Sequence, residues 1–412
     1  MMPFRFPNLI LAGLALGGAA WSSPVAVAGD PIKLTIGPEI SVLPGGLQPF
    51  MFQSDRGTLV VQAEMPNPPG YVPPARNAYP GYPGTVRSTD QGRTWERWQP
   101  DPNQGIGPIF EGNVASLRDG TILLFEWIGD GPRPGGYFQG NVWESRDDWK
   151  TMRGPTASQI HLPQAKGGFD DGGKPYGGVD VHRTLIELPD GDLLATAYCW
   201  FKGDDTPSTY MPTMMKFRSI VLRSKDRGLN WNLVGTIAVD PTMGEEGYNE
   251  PVMVRISQGR HRGRLIAVMR VGTNKVLTDL NSNLLRQAES DDEGRTWTKP
   301  HALAFEGVDP DLIEMQNGVL VAGFGWRTPE ATHKRDSGPR RIGPKHGNYL
   351  AFSLDQGASW IHVTQVTHEP TTSYVTVREV RPGRLLLVYD KGWWDTPDRA
   401  IAGRIIDVEL QK

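Results

Sequence analysis

Short apolar runs alternate along the chain with tight polar turns, and the unit repeats. Leu117 leads into the turn Arg118-Asp119-Gly120 and then Thr121-Ile122-Leu123-Leu124; Leu188 leads into Pro189-Asp190-Gly191-Asp192 and then Leu193-Leu194. A shorter version, Asp55-Arg56-Gly57, precedes Thr58-Leu59-Val60-Val61, and the pattern recurs around Gly259 to Gly263, at Asn317-Gly318 and at Pro382-Gly383. Apolar runs this short, bounded by Gly, Pro and Asp, read as β-hairpins rather than helices.

A second repeat follows these hairpins. Ser-x-Asp-x-Gly-x-(Thr/Ser/Asn)-Trp occurs at Ser88 to Trp95, Ser224 to Trp231, Ser290 to Trp297 and Ser353 to Trp360, with a degenerate copy at Ser145 to Trp149. Its aspartate accepts backbone N–H bonds, its glycine takes the positive φ and its tryptophan packs on a neighbouring sheet, so the motif is structural. Start-to-start spacings of 57, 79, 66 and 63 residues suit one four-stranded antiparallel sheet each, as in propeller blades. On these boxes the chain resembles the sialidase (neuraminidase) superfamily of Asp-box (BNR) proteins. That resemblance implies an all-β fold, a six-bladed β-propeller over residues 29–412, with blades beginning near Leu47, Gly107, Gly178, Tyr248, Gly307 and Thr372. Ile32 to Leu43 would complete the last blade.

Composition narrows the class. Gly (49) and Pro (35) make up about a fifth of 412 residues, a density that interrupts long helices. Hydrophobic residues at 38% suffice for a core, and a net charge of −3 gives no electrostatic reason to expect nucleic acid. Residues 1–28 carry a lone Arg5, an apolar run from Leu9 to Trp21 and Ala26-Val27-Ala28, which reads as a secretory signal cleaved near Ala28. The run is too short for a bilayer span, so the expectation is a secreted or periplasmic protein without a membrane segment. The single cysteine, Cys199, allows no intramolecular disulfide.

Aligning the hairpins on their turn glycines names a candidate site. Nine residues before each turn glycine lie Gln48, Glu111, His182, Glu250, Asp309 and Tyr374, at the start of each first strand. In a propeller these starts converge on one mouth of the axis. The ends of the second strands, at Glu64, Trp127, Tyr198, Arg270, Gly325 and Asp390, ring the same mouth. Acid, base and cation types in register with a tyrosine suit proton transfer and nucleophilic chemistry on a sugar. Trp127, Trp200, Trp326, Trp393 and Trp394 are candidate sugar platforms.

In the sialidase family a tyrosine activated by a glutamate is the nucleophile, and three arginines clamp the substrate carboxylate. Asn249-Glu250-Pro251 with Gly263 to Arg270 resembles the family's glutamate and second arginine, and Ser373-Tyr374 resembles its tyrosine segment. Pro49-Phe50-Met51-Phe52 and His346-Gly347-Asn348 stand where the other two arginines are placed. The expected catalytic set is therefore Glu250, Tyr374, His182 and Asp309. Arg270, His346, Glu111, Glu64, Trp127 and Tyr198 are the expected substrate-binding set. The leading reading is an exo-glycosidase acting on a terminal, acidic sugar of a glycan. A lyase using His or Tyr against a uronate, as at rhamnose-glucuronate linkages, and a non-catalytic glycan-binding propeller are the alternatives. No cofactor is required, and His182 and His346 lie in no metal-ligand spacing. The loop Gly167 to Gly173, with Asp170 and Asp171, is a rim loop that calcium would fit. The Pro- and Gly-rich stretches Pro66 to Pro83, Lys202 to Lys216 and Arg327 to Lys345 would also decorate the rim.

Overall fold

The computed structural model describes residues 30–72, 82–98, 107–109, 111–128, 131–169, 173, 175–209, 213–272, 283–327, 342–393 and 396–411. Among these residues every regular element is a β-strand. The signal-like segment, Asp170 and Asp171, and Trp394 lie outside them.

The strands form antiparallel meanders in chain order. In the first, Leu47–Gln53, Leu59–Met65, Tyr82–Ser88 and Glu96–Arg97 pair consecutively. The second is built from Val114–Ser116, Ile122–Trp127, Tyr137–Ser145 and Arg153–His161, and the third from Val179–Glu187, Leu193–Phe201, Arg218–Ser224 and Asn230–Ala238. Parallel pairing of Asn230 to Asn232 with Gln159 to His161 joins the outer edges of these two. The fourth contains Asn249–Arg255, Leu265–Arg270, Leu284–Ser290 and His301–Glu306; the fifth, Val308–Glu314, Leu320–Trp326, Gly347–Ser353 and Ile361–Gln365. In the last, Val375–Arg381, Arg384–Lys391 and Ala400–Leu410 are completed by the N-terminal strand Ile32–Pro44, which pairs with Ala400–Leu410. The expected completion by Ile32 to Leu43 is what is observed.

Burial explains the apolar runs. Each second strand is covered on both faces, so Ile122–Trp127 and Leu265–Arg270 are buried at every position, whereas the outer strand Arg153–His161 is largely exposed. Apolar clusters fill every gap between sequence neighbours. Phe52, Trp143 and Trp149 join the first meander to the second; Phe125 and Trp231 join the second to the third, with ring centroids 4.9 Å apart. Met51, Leu386 and Val388 close the last onto the first. A covalently open chain thus becomes a ring of sheets held by apolar packing between neighbours.

The boxes are formed as their residues dictate. Asp226 Oδ1 accepts the Asn230 amide at 2.9 Å, Ser224 Oγ accepts the Gly228 amide at 2.8 Å, and Trp231 Nε1 donates to the Gly228 carbonyl at 2.9 Å. The degenerate copy keeps the same logic, with Asp147 Oδ1 accepting the Thr151 amide at 2.9 Å. Trp231 is fully buried. Trp231→Ala should cost about 3–5 kcal/mol through the cavity it leaves, and Asp226→Ala about 1–2 kcal/mol through lost turn hydrogen bonds. Denaturant titration checks both, and equal small losses would contradict the packing role of the box tryptophan.

Candidate active site

The candidate site begins with a backbone irregularity repeated at the start of the first strands. Gln48, Gly112, Arg183, Glu250, Asp309 and Ser373 all have positive φ, at 54°, 88°, 55°, 44°, 49° and 68°. Pairing with the second strand skips at Leu47/Phe50, Val181/Leu185, Asn249/Val252 and Val308/Asp311, the mark of a β-bulge, which re-aims a side chain. The second meander needs glycine there, since a Cβ on Gly112 would lie 3.0 Å from Arg183 Cα. Counting from the turn glycines finds this position in the first, fourth and fifth meanders. In the others it is one residue off: the bulge residues are Gly112, Arg183 and Ser373, beside the expected Glu111, His182 and Tyr374.

The bulges bring the expected catalytic residues into one network. Tyr374 Oη donates to Glu250 Oε1 at 3.2 Å, Arg270 Nη1 donates to the same oxygen at 2.5 Å, and the Asp309 amide donates to Glu250 Oε2 at 2.9 Å. His182 Nε2 lies 3.5 Å from Asp309 Oδ1, while its Nδ1 lies 3.4 Å from the Pro251 carbonyl. Arg183 grips Asp309 with two donors, Nε to Oδ1 at 3.1 Å and Nη2 to Oδ2. Arg270 also meets Glu246, Nη2 to Oε2 at 3.2 Å, and donates Nε to the Gly272 carbonyl at 2.9 Å.

Accessibility divides the set. Tyr374 is half-buried, whereas Asp309 is 0% exposed and His182 2%. Both ring nitrogens of His182 face protein oxygens. Asp309 and His182 therefore sit beneath the mouth, not at its surface.

Burial and charge separate the carboxyl groups. Burial pushes Glu250 up, but Arg270, His182, Arg327 and the Asp309 amide outweigh it and hold the group below the usual carboxylate range. Asp180 is lifted by burial to about 8, with the Glu250 charge adding to the rise and a Tyr198 hydrogen bond opposing it. Glu111 is raised well above its ordinary value by burial, then by Asp180 and Asp309. Burial also raises Glu246, against the pull of Arg270. The Tyr374 phenol is raised by burial and by the Glu250 charge, so it is neutral at rest.

The expected binding residues scatter more. Tyr198 pairs across from Asp180, its ring 6.0 Å from His182. Glu64, half-buried, pairs across from Leu47 at a second-strand end. Glu111 is buried within reach of the Asp180, Asp309 and Glu250 charges. His346 lies on the fifth meander against Trp393, ring centroids 5.3 Å apart, and burial with the Arg327 charge lowers it to about 4. Trp127 and Trp200 are core residues, not platforms: Trp127 belongs to the packing between the second and third meanders, and Trp200 stacks on Phe217 at 4.6 Å. Trp326 is half-buried and donates Nε1 to Glu306 at 2.7 Å. Among the described residues no group of three or more His, Cys, Asp or Glu side chains is arranged to hold a metal ion.

Four residues of the network were not expected from sequence: Arg183, Asp180, Glu246 and Arg327. Arg183 and Asp180 flank His182 within the same strand, and an allowance of one residue for a bulge would have found Arg183. Glu246 lies four residues before Glu250 in the connection leading to its strand. Arg327 is the first residue of a stretch read as a rim loop; its guanidinium carbon stands 5.3 Å from the Tyr374 ring centroid and its Nε donates to the Thr372 carbonyl at 2.8 Å.

Asp180 carries a pH signature. Between its ordinary value of 3.8 and about 8, the native state keeps a proton that the unfolded chain has released. The native state then binds more protons than the unfolded one, so raising the pH through this window favours unfolding. Asp180→Asn removes that dependence. Denaturant titrations at pH 5 and pH 8 should show the wild type losing stability relative to the variant as pH rises; a constant difference would place Asp180 in the ordinary carboxylate range.

Comparison with known proteins follows the same lines. The BNR repeat-like domain profile matches residues 112–385, about two thirds of the chain. No curated protein matches it. Among solved structures, a protein of unknown function from Dyadobacter fermentans superposes with a TM-score of 0.64 at 18% identity, over 91% of this chain and 99% of that one. A Penicillium chrysogenum α-L-arabinanase complexed with arabinobiose gives 0.59 at 16% identity, over 90% and 98%. A Hadza microbial sialidase gives 0.55 at 15% identity, over 88% of this chain and 65% of that one. At such identities the likeness is one of fold. Repeated boxes, all-β meanders and the profile match agree: the chain belongs to the BNR repeat-like domain family and has a fold of the sialidase superfamily kind.

Proposed function

We propose that the protein is an exported glycoside hydrolase, a closed six-bladed propeller over residues 29–412 that cleaves a terminal sugar from a glycan at the Glu250–Tyr374 mouth. The observation that carries this reading is the pairing of Tyr374 Oη with Glu250 Oε1 at 3.2 Å, with Arg270 on the same oxygen, and the charge states of the surrounding carboxyl groups support it. Glu250 is held ionised while Asp180, feeling its charge, is held protonated. Environments that push two carboxyls apart in this way assign a base and an acid at one pH. The arabinanase and sialidase of similar fold support carbohydrate as the substrate class.

In the proposed reaction Tyr374 attacks the anomeric carbon and passes its phenolic proton to Glu250, 3.2 Å away. Asp180 gives its proton to the departing glycosidic oxygen, then takes one from the water that cleaves the glycosyl-enzyme bond, while Glu250 returns its proton to the departing Tyr374 oxygen. Asp309, His182 and Arg183 position this pair from beneath. Arg327 and Arg270, both acting on the Tyr374 phenol, favour a terminal acidic sugar; a substrate carboxylate would compete with Glu246 for Arg270. Of the two bases a lyase would use, His182 is enclosed by Pro251 and Asp309, and Tyr374 is paired with Glu250 in the manner of a nucleophile, so the hydrolase is preferred. No cofactor enters this chemistry.

A glycan panel followed by reducing-end release and ultraviolet absorbance tests the proposal. Release without new absorbance is expected, unchanged by EDTA. Glu250→Gln and Tyr374→Phe should each lower kcat by about 10²–10⁴. Asp180→Asn should do the same on natural glycans but far less on aryl glycosides, whose leaving groups need no proton. Products absorbing in the ultraviolet would establish the lyase instead, and binding without cleavage would establish a glycan-binding propeller. Loss of turnover with EDTA would point to calcium at the Gly167 to Gly173 loop.

A further inference from the structure

The axis has a second mouth, at the opposite ends of the first strands from Glu250 and Tyr374. A cavity of about 410 Å³ opens there, and each meander contributes to its wall, through Phe52, Val114, Leu185, Val252, Leu312 and Arg378. The wall mixes apolar side chains, Val114, Leu185, Val252 and Leu312 among them, with polar and charged ones in about equal number. Within it Arg183, Asp311 and Arg378 form one charged group.

The hydrogen bonding of that group is one-sided. Asp311 Oδ2 accepts Arg378 Nη1 at 2.7 Å, Thr376 Oγ1 at 2.7 Å and the Val377 amide at 2.8 Å, and Oδ1 accepts the Leu312 amide at 3.0 Å. Its acceptor capacity is largely used. Arg378 donates through Nη1 alone, to Asp311 and to the Val377 carbonyl at 2.5 Å; among the described residues Nε and Nη2 meet no acceptor. Arg183 spends Nε and Nη2 on Asp309, which leaves Nη1 at 3.7 Å from Asp311 Oδ2, outside hydrogen-bond range. Nearer the mouth, Glu187 is engaged by Arg118, through its amide at 2.7 Å and its Nη2 at 3.3 Å.

Two guanidinium groups thus present to the cavity donors that Asp311 does not take up. A ligand that fits must bring acceptors of its own, and a planar carboxylate matches a guanidinium edge in a bidentate manner. Asp55 and Glu187, on the lining toward the mouth, repel anions of higher charge. The volume, and the apolar side chains among the lining, leave room for a body of carbon behind the carboxylate. We propose that this cavity is a second binding site, distinct from the Glu250–Tyr374 mouth, for a monocarboxylate held by the free edge of Arg378 and by Arg183 Nη1. That chemistry belongs equally to a free organic acid and to the uronic acid end of a glycan, and it does not depend on the hydrolase reading.

Calorimetric titration of the full chain with benzoate and with D-glucuronate, alongside benzyl alcohol and methyl glucoside as neutral counterparts, tests the site. At least one carboxylate should bind one to one, at least tenfold tighter than its neutral counterpart, and benzoate or glucuronate preference tells the two sources apart. Arg378→Gln should weaken that binding at least tenfold. Arg378→Lys should do so as well while keeping a charge opposite Asp311, hence near-native thermal stability; it carries the test if the glutamine variant does not fold. Absence of binding by both carboxylates, equal binding of the neutral compounds, or wild-type affinity in Arg378→Lys would overturn the proposal. In the last case the carboxylate is bound elsewhere, as at the Glu250 mouth.

Discussion

The axial arrangement depends on the carboxylate of Asp309. It is fully enclosed, and it collects a two-donor contact from Arg183 on the third meander and the Val375 amide, at 3.3 Å, from the last. Its own backbone amide holds Glu250 on the fourth. One residue therefore ties four sheets together at the axis and holds, through its other oxygen, the carboxylate that Tyr374 addresses. Buried ion pairs of this kind add little net stability, because desolvation offsets most of the attraction. Removing one partner is a different matter, since it strands the other charge. The apolar seams between sheets carry the stability, and the Asp309 network sets geometry and protonation.

Much of this was legible in the sequence for reasons that are local. The Asp boxes could be read because each turn is closed by its own side chains, Asp226 to Asn230 and Ser224 to Gly228, independently of anything distant. The second strands could be read because both their faces are covered, which turns a half-apolar pattern into runs such as Leu265-Ile266-Ala267-Val268-Met269. The closing strand could be read as the missing partner of an otherwise incomplete last sheet. Glu250 and Asp309 were found because their turns keep the spacing that a strict count assumes.

What could not be read was non-local. A bulge inserts a residue without leaving a composition signal, and the count from Gly191 therefore stopped at His182 when the side chain aimed across the axis is Arg183. Arg327 was hidden because its neighbours are Pro and Gly rich, although its own position still belongs to the second-strand end. The tryptophans misled in the opposite sense: Trp127 and Trp200 occupy strand ends suited to a sugar platform, yet packing between meanders claims them. Arg183 faces both ends of the axis, gripping Asp309 on one side and approaching Asp311 on the other, so the two mouths share a common floor.

The central claim is that this network splits the titration of two neighbouring carboxyl groups. The most direct measurement is a ¹³C carboxyl titration of the folded protein, with Glu250→Gln and Asp180→Asn used to assign the two signals. The account predicts that the Glu250 signal titrates below the usual carboxylate range and that Asp180 loses its proton near pH 8, leaving a window between the two in which one is charged and the other neutral. If both signals instead titrate together near pH 4, the axis holds two ordinary carboxylates, and the division into base and acid is wrong.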